Sequence, residues 1–220
     1  MGQFAVIGLG AFGSNVVKRL FKNNHDVIAI DREKEVVESL EDYCAQAILA
    51  DATDRETLEA IGLESVDAAI VAIGSNIAAS TLATLHLRDL GVRHIIVKAI
   101  SADHEKILQK IGANEIIDPE KDMAERLADR LGHPNLIEKF PFGEGYSVAE
   151  LISPPLLWGK TLAESNIRAK YGVAVIAIKA MNPDRTYQMN IAPAADDKIH
   201  EGDILMIIGE DSKLDKFRAL

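Results

Sequence analysis

From Phe4 to Asp118 the chain alternates short, uninterrupted apolar runs with longer stretches of helical period. Phe4–Ile7, Val27–Ile30, Gln46–Ala50, Ala68–Ile73, His94–Lys98 and Glu115–Asp118 read as strands. Ala11–Asn24, Glu33–Leu40, Asp54–Ile61, Ile77–Leu90, Asp103–Ile111 and Glu120–Leu131 read as helices. The first helix sets Val16, Val17, Leu20 and Phe21 on one face, and Gly62, Gly91 and Gly112 stand where C-terminal caps belong. A continuously apolar strand has no face to offer water, so it must be covered on both sides. Such strands joined by helical crossovers form a doubly wound parallel sheet, an α/β fold of Rossmann type.

The alternation stops near residue 133. Residues 134–144 carry Gly, Pro and Asn without a period and read as a linker. Beyond them, Tyr146–Ile152, Val173–Ile178 and Ile204–Ile208 read as strands, 162–170 as a helical stretch, Met181–Thr186 as a polar turn and the C-terminus as a short helix. The sequence therefore predicts two domains, 1–133 and 145–220, the second a small α+β unit. A unit of that size buries little core alone, which favours dimerisation through it.

Composition narrows the function. Hydrophobic residues make up 48% and charged residues 26%, material for a packed core rather than a disordered chain. A net charge of -10, from 34 acidic and 24 basic residues, argues against a general nucleic-acid binder and against electrostatic membrane binding. The one cysteine, Cys44, allows no internal disulfide and no cysteine metal cluster, and fits a reducing, cytosolic setting. No apolar run approaches the roughly 20 residues of a membrane helix. Met1–Gly8 lacks a basic leader, so work at a membrane is expected to go through a partner.

The strongest motif is Gly8-Leu9-Gly10-Ala11-Phe12-Gly13, between the first strand and the first helix. The second strand ends in Asp31, 18 positions after Gly13. That context reads as a dinucleotide fingerprint: the glycines let the backbone turn and approach a pyrophosphate, and the helix N-terminus supplies free N–H groups. Asp31 is placed to accept from a ribose 2′-hydroxyl and to repel a 2′-phosphate. Arg32 follows it. Other strand ends reach the same crevice. Asp51, with Ala52 and Thr53, either contacts base or ribose or caps the next helix. Gly74, Ser75 and Asn76 either line the crevice or cap a helix. Lys98 either meets a phosphate or pairs with Asp103 or another acid.

The residue pattern favours a binding or regulatory module over an enzyme. A hydride-transfer enzyme needs a substrate domain and an acid–base group beside the nicotinamide. His200 lies in the polar stretch Asp196–Asp203, and neither His25, His86, His94, His104 nor His133 pairs visibly with a nucleophile. No ligand spacing points to zinc. A small NAD-dependent oxidoreductase and a stand-alone nucleotide sensor remain the alternatives.

Several segments together carry a family resemblance: Phe4–Gly10 with Phe12-Gly13, Val71–Gly74, Ala79–Leu85, Lys110–Ala113, Pro119–Met123 and Ile167–Gly172. The chain resembles the regulatory subunits of Ktr and Trk potassium transporters, which contain RCK domains, and is closest to the Ktr type. The resemblance implies a cytoplasmic homodimer that closes into an octameric ring at the inner face of the membrane, bound to a membrane-embedded potassium-translocating subunit. It implies ATP or ADP in the Rossmann crevice, with NAD or NADH bound by some members, and gating without chemistry on the nucleotide. Carried over, Gly8, Gly10 and Gly13 hold phosphate, Asp31 the ribose and Asp51 the adenosine side, while Gly74 and Lys98 line the rest. Glu120 matches a glutamate of a cation site at the dimer interface; as a bare sequence feature it is a first-turn acid complementing a helix dipole. Asn166, Ile167, Arg168, Ile176 and Pro193 fall near the region where some members hold cyclic di-AMP between two protomers. Arg168 either contacts a phosphate there or makes an ordinary surface contact. The chain departs from the pattern at Ala11, where Ktr-type members carry an arginine that approaches the terminal phosphate of a neighbouring subunit's nucleotide.

Overall fold

The computed structural model describes every residue except Pro183 and Arg185. The chain divides into two compact units, Met1–Pro119 and Glu120–Leu220.

The first unit runs β1 (Gln3–Ile7), α1 (Ala11–Lys22), β2 (Asp26–Asp31), α2 (Lys34–Glu38), β3 (Gln46–Leu49), α3 (Arg55–Ile61), β4 (Ala68–Val71), α4 (Ile77–Asp89), β5 (Ile95–Lys98), α5 (Ala102–Ile111) and β6 (Glu115–Ile117). The strands pair in parallel in the order β3-β2-β1-β4-β5-β6. Successive side chains of one strand serve opposite faces. Ala5, Ile7, Ile28, Ile30, Ala69 and Val71 pack on one side against Leu58, Ala83, Leu87 and Leu108 of α3, α4 and α5. Val6, Val27, Ala29 and Ile70 pack on the other against Val17 of α1, Val37 of α2 and Leu40. Two-sided burial is why these strands carry no polar alternation.

The second unit contains most of α6 (Pro119–Gly132), then β7 (Leu136–Gly143), β8 (Tyr146–Ile152), α7 (Leu162–Ser165), α8 (Ile167–Tyr171), β9 (Ala174–Met181), β10 (Tyr187–Ile191), β11 (Ile204–Glu210) and α9 (Asp211–Arg218). Its sheet is antiparallel, in the order β10-β9-β11-β8-β7. One face supplies the core: Ala149, Leu151, Ile178, Leu205 and Ile207 meet Ile167, Leu214 and Phe217. The Tyr171 and Phe217 rings meet edge to face at 5.3 Å.

Three readings differ from the structure. Residues 134–144, expected as a linker, contain β7, an edge strand paired with β8; an edge tolerates Pro141 because one side of its backbone needs no ladder partner. The stretch 162–170 is two short helices, because Asn166 takes the left-handed conformation at φ 47° and breaks the run. Strand β10 stands where the sequence predicts no element. The turn expected over Met181–Thr186 lies outside the described residues at Pro183 and Arg185.

His104 on α5 is fully buried, and its Nδ1 accepts from the Ile100 N–H at 3.3 Å. Nε2 has no partner among the described residues. Burial holds its pKa below the ordinary 6.5. The unfolded chain therefore takes up a proton that the folded ring refuses. Stability is whole above pH 6.5 and falls as the pH drops through 6.5 toward the lower folded value. Urea midpoints at about pH 7.5 and 5.5 are expected to show this loss, and His104→Leu to shrink it.

Candidate nucleotide site

The order in which the chain adds strands reverses between β1 and β4, which leaves a crevice at the carboxyl ends of the strands. Gly8 follows β1 at φ +91°, and its N–H donates to the Ile30 carbonyl at 2.9 Å. A Cβ there would lie 2.8 Å from the Ile73 nitrogen. A Cβ on Gly13 would run into the Gly8 carbonyl oxygen. These two glycines are thus demanded by the chain's own packing. Gly10 is different: it is exposed, and a Cβ on it would meet no atom of the chain within 4 Å. It is the N-cap of α1 with no side-chain cap, so the first-turn N–H groups of the helix lack a side-chain acceptor there. Ser14 tightens the loop by donating its hydroxyl to the Leu9 carbonyl.

Asp31 ends β2 and is half-buried. Its Oδ2 accepts from the Leu9 N–H at 2.6 Å and its Oδ1 from the Glu33 N–H at 2.9 Å. Each oxygen retains a lone pair for an outside donor. The bond to Leu9 joins the acid at the end of β2 to the glycine loop at the end of β1. Next along the rim, Asp51 follows β3. Its Oδ1 accepts both the N–H and the hydroxyl of Thr53, at 2.9 and 2.8 Å. Those two bonds, the backbone one foremost, hold its pKa below the usual carboxylate range, and Arg32 adds a smaller pull. Capping of α3 falls to Asp54, which accepts from the Glu56 N–H, so Asp51 is not the cap. The Ala52 side chain is 6% exposed and belongs to the core rather than the crevice.

Beyond β4, Gly74, Ser75 and Asn76 are exposed, and the Asn76 side chain caps α4 by accepting from the Ala79 N–H. Lys98 ends β5 half-buried, its Nζ 6.0 Å from the centroid of the Phe12 ring. A Cβ on Gly74 would lie 3.5 Å from the same Nζ, so this cation, Phe12 and Gly74 gather at one place. Asp103, the acid considered for Lys98, is engaged by Lys106 at 2.9 Å. Ala11 points a methyl group into solvent at the head of α1. The structure therefore brings Gly8, Gly10, Phe12, Gly13, Asp31, Asp51, Gly74 and Lys98 to the strand ends of one unit. Sequence reasoning left out His86 on α4, whose Nε2 lies 3.2 Å from the Thr53 carbonyl.

In the second unit, the Ile176 carbonyl accepts from the Ala192 N–H, which sets Ile176 beside Pro193. Asn166 and Arg168 are exposed, and no described carboxylate pairs with Arg168. Ile167 is 3% exposed, so its side chain supports that region from the core and does not line it. Glu120 is exposed in the first turn of α6. Among the described residues there is no group of three or more metal-ligating side chains, and no helix is long and apolar enough to cross a membrane.

A TrkA-N domain matches residues 4–119 and a TrkA-C domain residues 148–220. The chain is 40% identical over 215 residues to Ktr system potassium uptake protein C of Bacillus subtilis, covering 98% of this chain and 95% of that one. It is 36% identical over 219 residues to Ktr system potassium uptake protein A of Vibrio alginolyticus, covering 99% and 97%. Among solved structures, the GsuK channel bound to NAD matches with a TM-score of 0.55 at 25% identity, over 100% of this chain and 38% of that longer one.

Two of the three loop glycines, Gly13 and Gly10, predict separable defects. Gly13→Ala is expected to cost about 1–3 kcal/mol of stability, read as a lower denaturant midpoint, because the methyl group meets backbone. Gly10→Ala is expected to change stability by less than about 1 kcal/mol and to weaken adenine-nucleotide binding by about tenfold or more, read by calorimetry.

Proposed function

Since the chain belongs to the family of Ktr-type potassium-uptake proteins, a TrkA-N domain followed by a TrkA-C domain, we propose that it is a nucleotide-sensing regulatory subunit that gates potassium flux through a membrane partner. The observation that carries the nucleotide reading is Gly10, the one loop glycine whose missing side chain leaves room for an outside group. A pyrophosphate fits that room. The N-terminus of α1 faces it with unsatisfied N–H groups and a partial positive charge. Lys98 and Gly74 complete the phosphate end. Asp31 takes the ribose and Asp51 the adenosine side. The ligand is ATP or ADP, with NAD or NADH filling the same crevice as an alternative.

The subunit works by binding and not by turnover. A nucleotide biases a ring between two shapes only through its different affinity for each; reversing a 1:99 population takes a difference of about ten-thousandfold. Homodimers closing into an octameric ring supply the many sites over which such differences accumulate. The partner is a membrane-embedded potassium-translocating subunit of Ktr or Trk type, and the ring lies at the cytoplasmic face of the membrane through it. Cyclic di-AMP is the second ligand, taken between two copies of the C-terminal unit at Asn166, Arg168, Ile176 and Pro193, with Ile167 beneath. Glu120 contributes to a cation site completed by the second protomer.

Calorimetry with ATP, ADP and NADH, combined with light scattering, tests this reading. Tight adenine-nucleotide binding to an assembly larger than a dimer is expected, followed by nucleotide-dependent potassium uptake when the membrane partner is co-expressed. A monomer or dimer that binds NADH alone would overturn it. Ala11 removes the charge that the family's arginine brings to the terminal phosphate. Ala11→Arg is therefore expected to raise the ratio of ATP to ADP affinity by about tenfold, the scale of one charge-assisted hydrogen bond; identical ratios in the two proteins would sink the idea.

A further inference from the structure

The β3–α3 turn that carries Asp51 is short; Ala52 anchors it in the core, while Asp51 itself is exposed and held by local hydrogen bonds. The Asp51 carbonyl accepts from the Asp54 N–H, and the Asp51 carboxylate accepts from Thr53. Such local bonds fix the shape of the turn but not its position over the crevice. Besides the core packing of Ala52, one side-chain hydrogen bond ties it to a distant element. His86, half-buried on α4, brings Nε2 to 3.2 Å from the Thr53 carbonyl, across 33 residues of sequence. A carbonyl oxygen only accepts, so the nitrogen facing it carries the proton and donates. The Thr53 carbonyl precedes the N-cap Asp54 and therefore has no place in the α3 ladder, which starts with Leu58 N–H donating to the Asp54 carbonyl.

We infer that His86 is a positioning residue for the adenosine end of the site, holding the Asp51 carboxylate in place through Thr53. Thr53 is gripped from both ends. Its carbonyl is held by His86, while its N–H and hydroxyl hold Asp51 Oδ1. Asp51 Oδ2 accepts no hydrogen bond among the described residues, so it is the oxygen open to a ligand hydroxyl or amine. The N-terminus of the same helix, at Asn76, borders the crevice beyond β4. Through His86, α4 thus sets the distance between the two flanks of the site. The inference rests on the reading of Asp51 as the adenosine-side group.

The experiment measures ADP affinity by calorimetry, and melting temperature, for wild type, His86→Leu, His86→Gln, Asp51→Ala and the His86→Leu/Asp51→Ala double variant. His86→Leu is expected to weaken ADP binding about fivefold to tenfold, the worth of one hydrogen bond. His86→Gln, which keeps a side-chain N–H donor, recovers most of it. In the Asp51→Ala background His86→Leu is expected to cost no further affinity, while its effect on melting temperature persists. A merely structural histidine would weaken ADP binding equally in both backgrounds, and that result overturns the inference. Wild-type ADP affinity in His86→Leu, with Asp51→Ala impaired, overturns it while sparing the site reading. Wild-type affinity in Asp51→Ala removes that reading, and the inference with it.

Discussion

Helix α1 can begin where it does because Gly13 presents no side chain to the carbonyl of Gly8. That contact brings the first turn of the helix against the end of β1. Gly8 in turn sits where only a residue without Cβ clears the backbone of Ala72 and Ile73 beyond β4. The two clearances stack three backbones, those of β1, β4 and α1, at less than the distance ordinary side chains allow. The crevice follows from this packing: helix dipole, loop amides and strand ends converge because nothing separates them. Gly10 then remains as the loop position that the protein's own packing does not consume.

The rim built on this frame is polarised. At one end, two acids are fixed by main-chain donors of their own and adjoining loops, Asp31 by Leu9 and Glu33, Asp51 by Thr53. At the other lie the uncapped head of α1 and the Lys98 ammonium near Phe12. A nucleotide has the matching polarity, with hydroxyl donors at its sugar and anionic oxygens at its phosphates. The acids are already ordered, which lowers the conformational cost of binding. The phosphate end depends more on backbone amides than on side-chain charge, since Ala11 adds none. Under the proposed reading, such an end would hold phosphate through main-chain donors without a side-chain charge at position 11 to count it.

The second unit obeys a different economy. Helices cover one face of its antiparallel sheet, and the register places Tyr187, Met189 and Ile191 of β10 in line along an exposed edge strand. The Lys179–Glu150 ion pair, 2.7 Å long, joins β9 to β8 across β11. Its core is one-sided, where that of the first unit is covered on both faces.

Sequence alone determined the parallel sheet, because continuous apolar strands demand cover on both faces, and it placed the glycine loop, because glycines at that spacing between strand and helix answer to sterics. It placed Asp31 for the same local reason, at the end of the strand after the loop. What it could not decide depends on partners distant in the chain. Residues 136–143 are a strand only because β8 is there to pair with them, and Pro141 disguised them. Ala52 and Ile167 face the core because of how neighbouring elements pack, although nearby residues such as Thr53 and Arg168 do not. Whether Asp51 served as cap or stayed open to the crevice turned on where α3 starts, and it starts at Arg55 with Asp54 as its cap. The bond from His86 to Thr53 spans 33 residues and leaves no trace in local periodicity, since periodicity tells which face a residue needs buried and not which distant group it will meet.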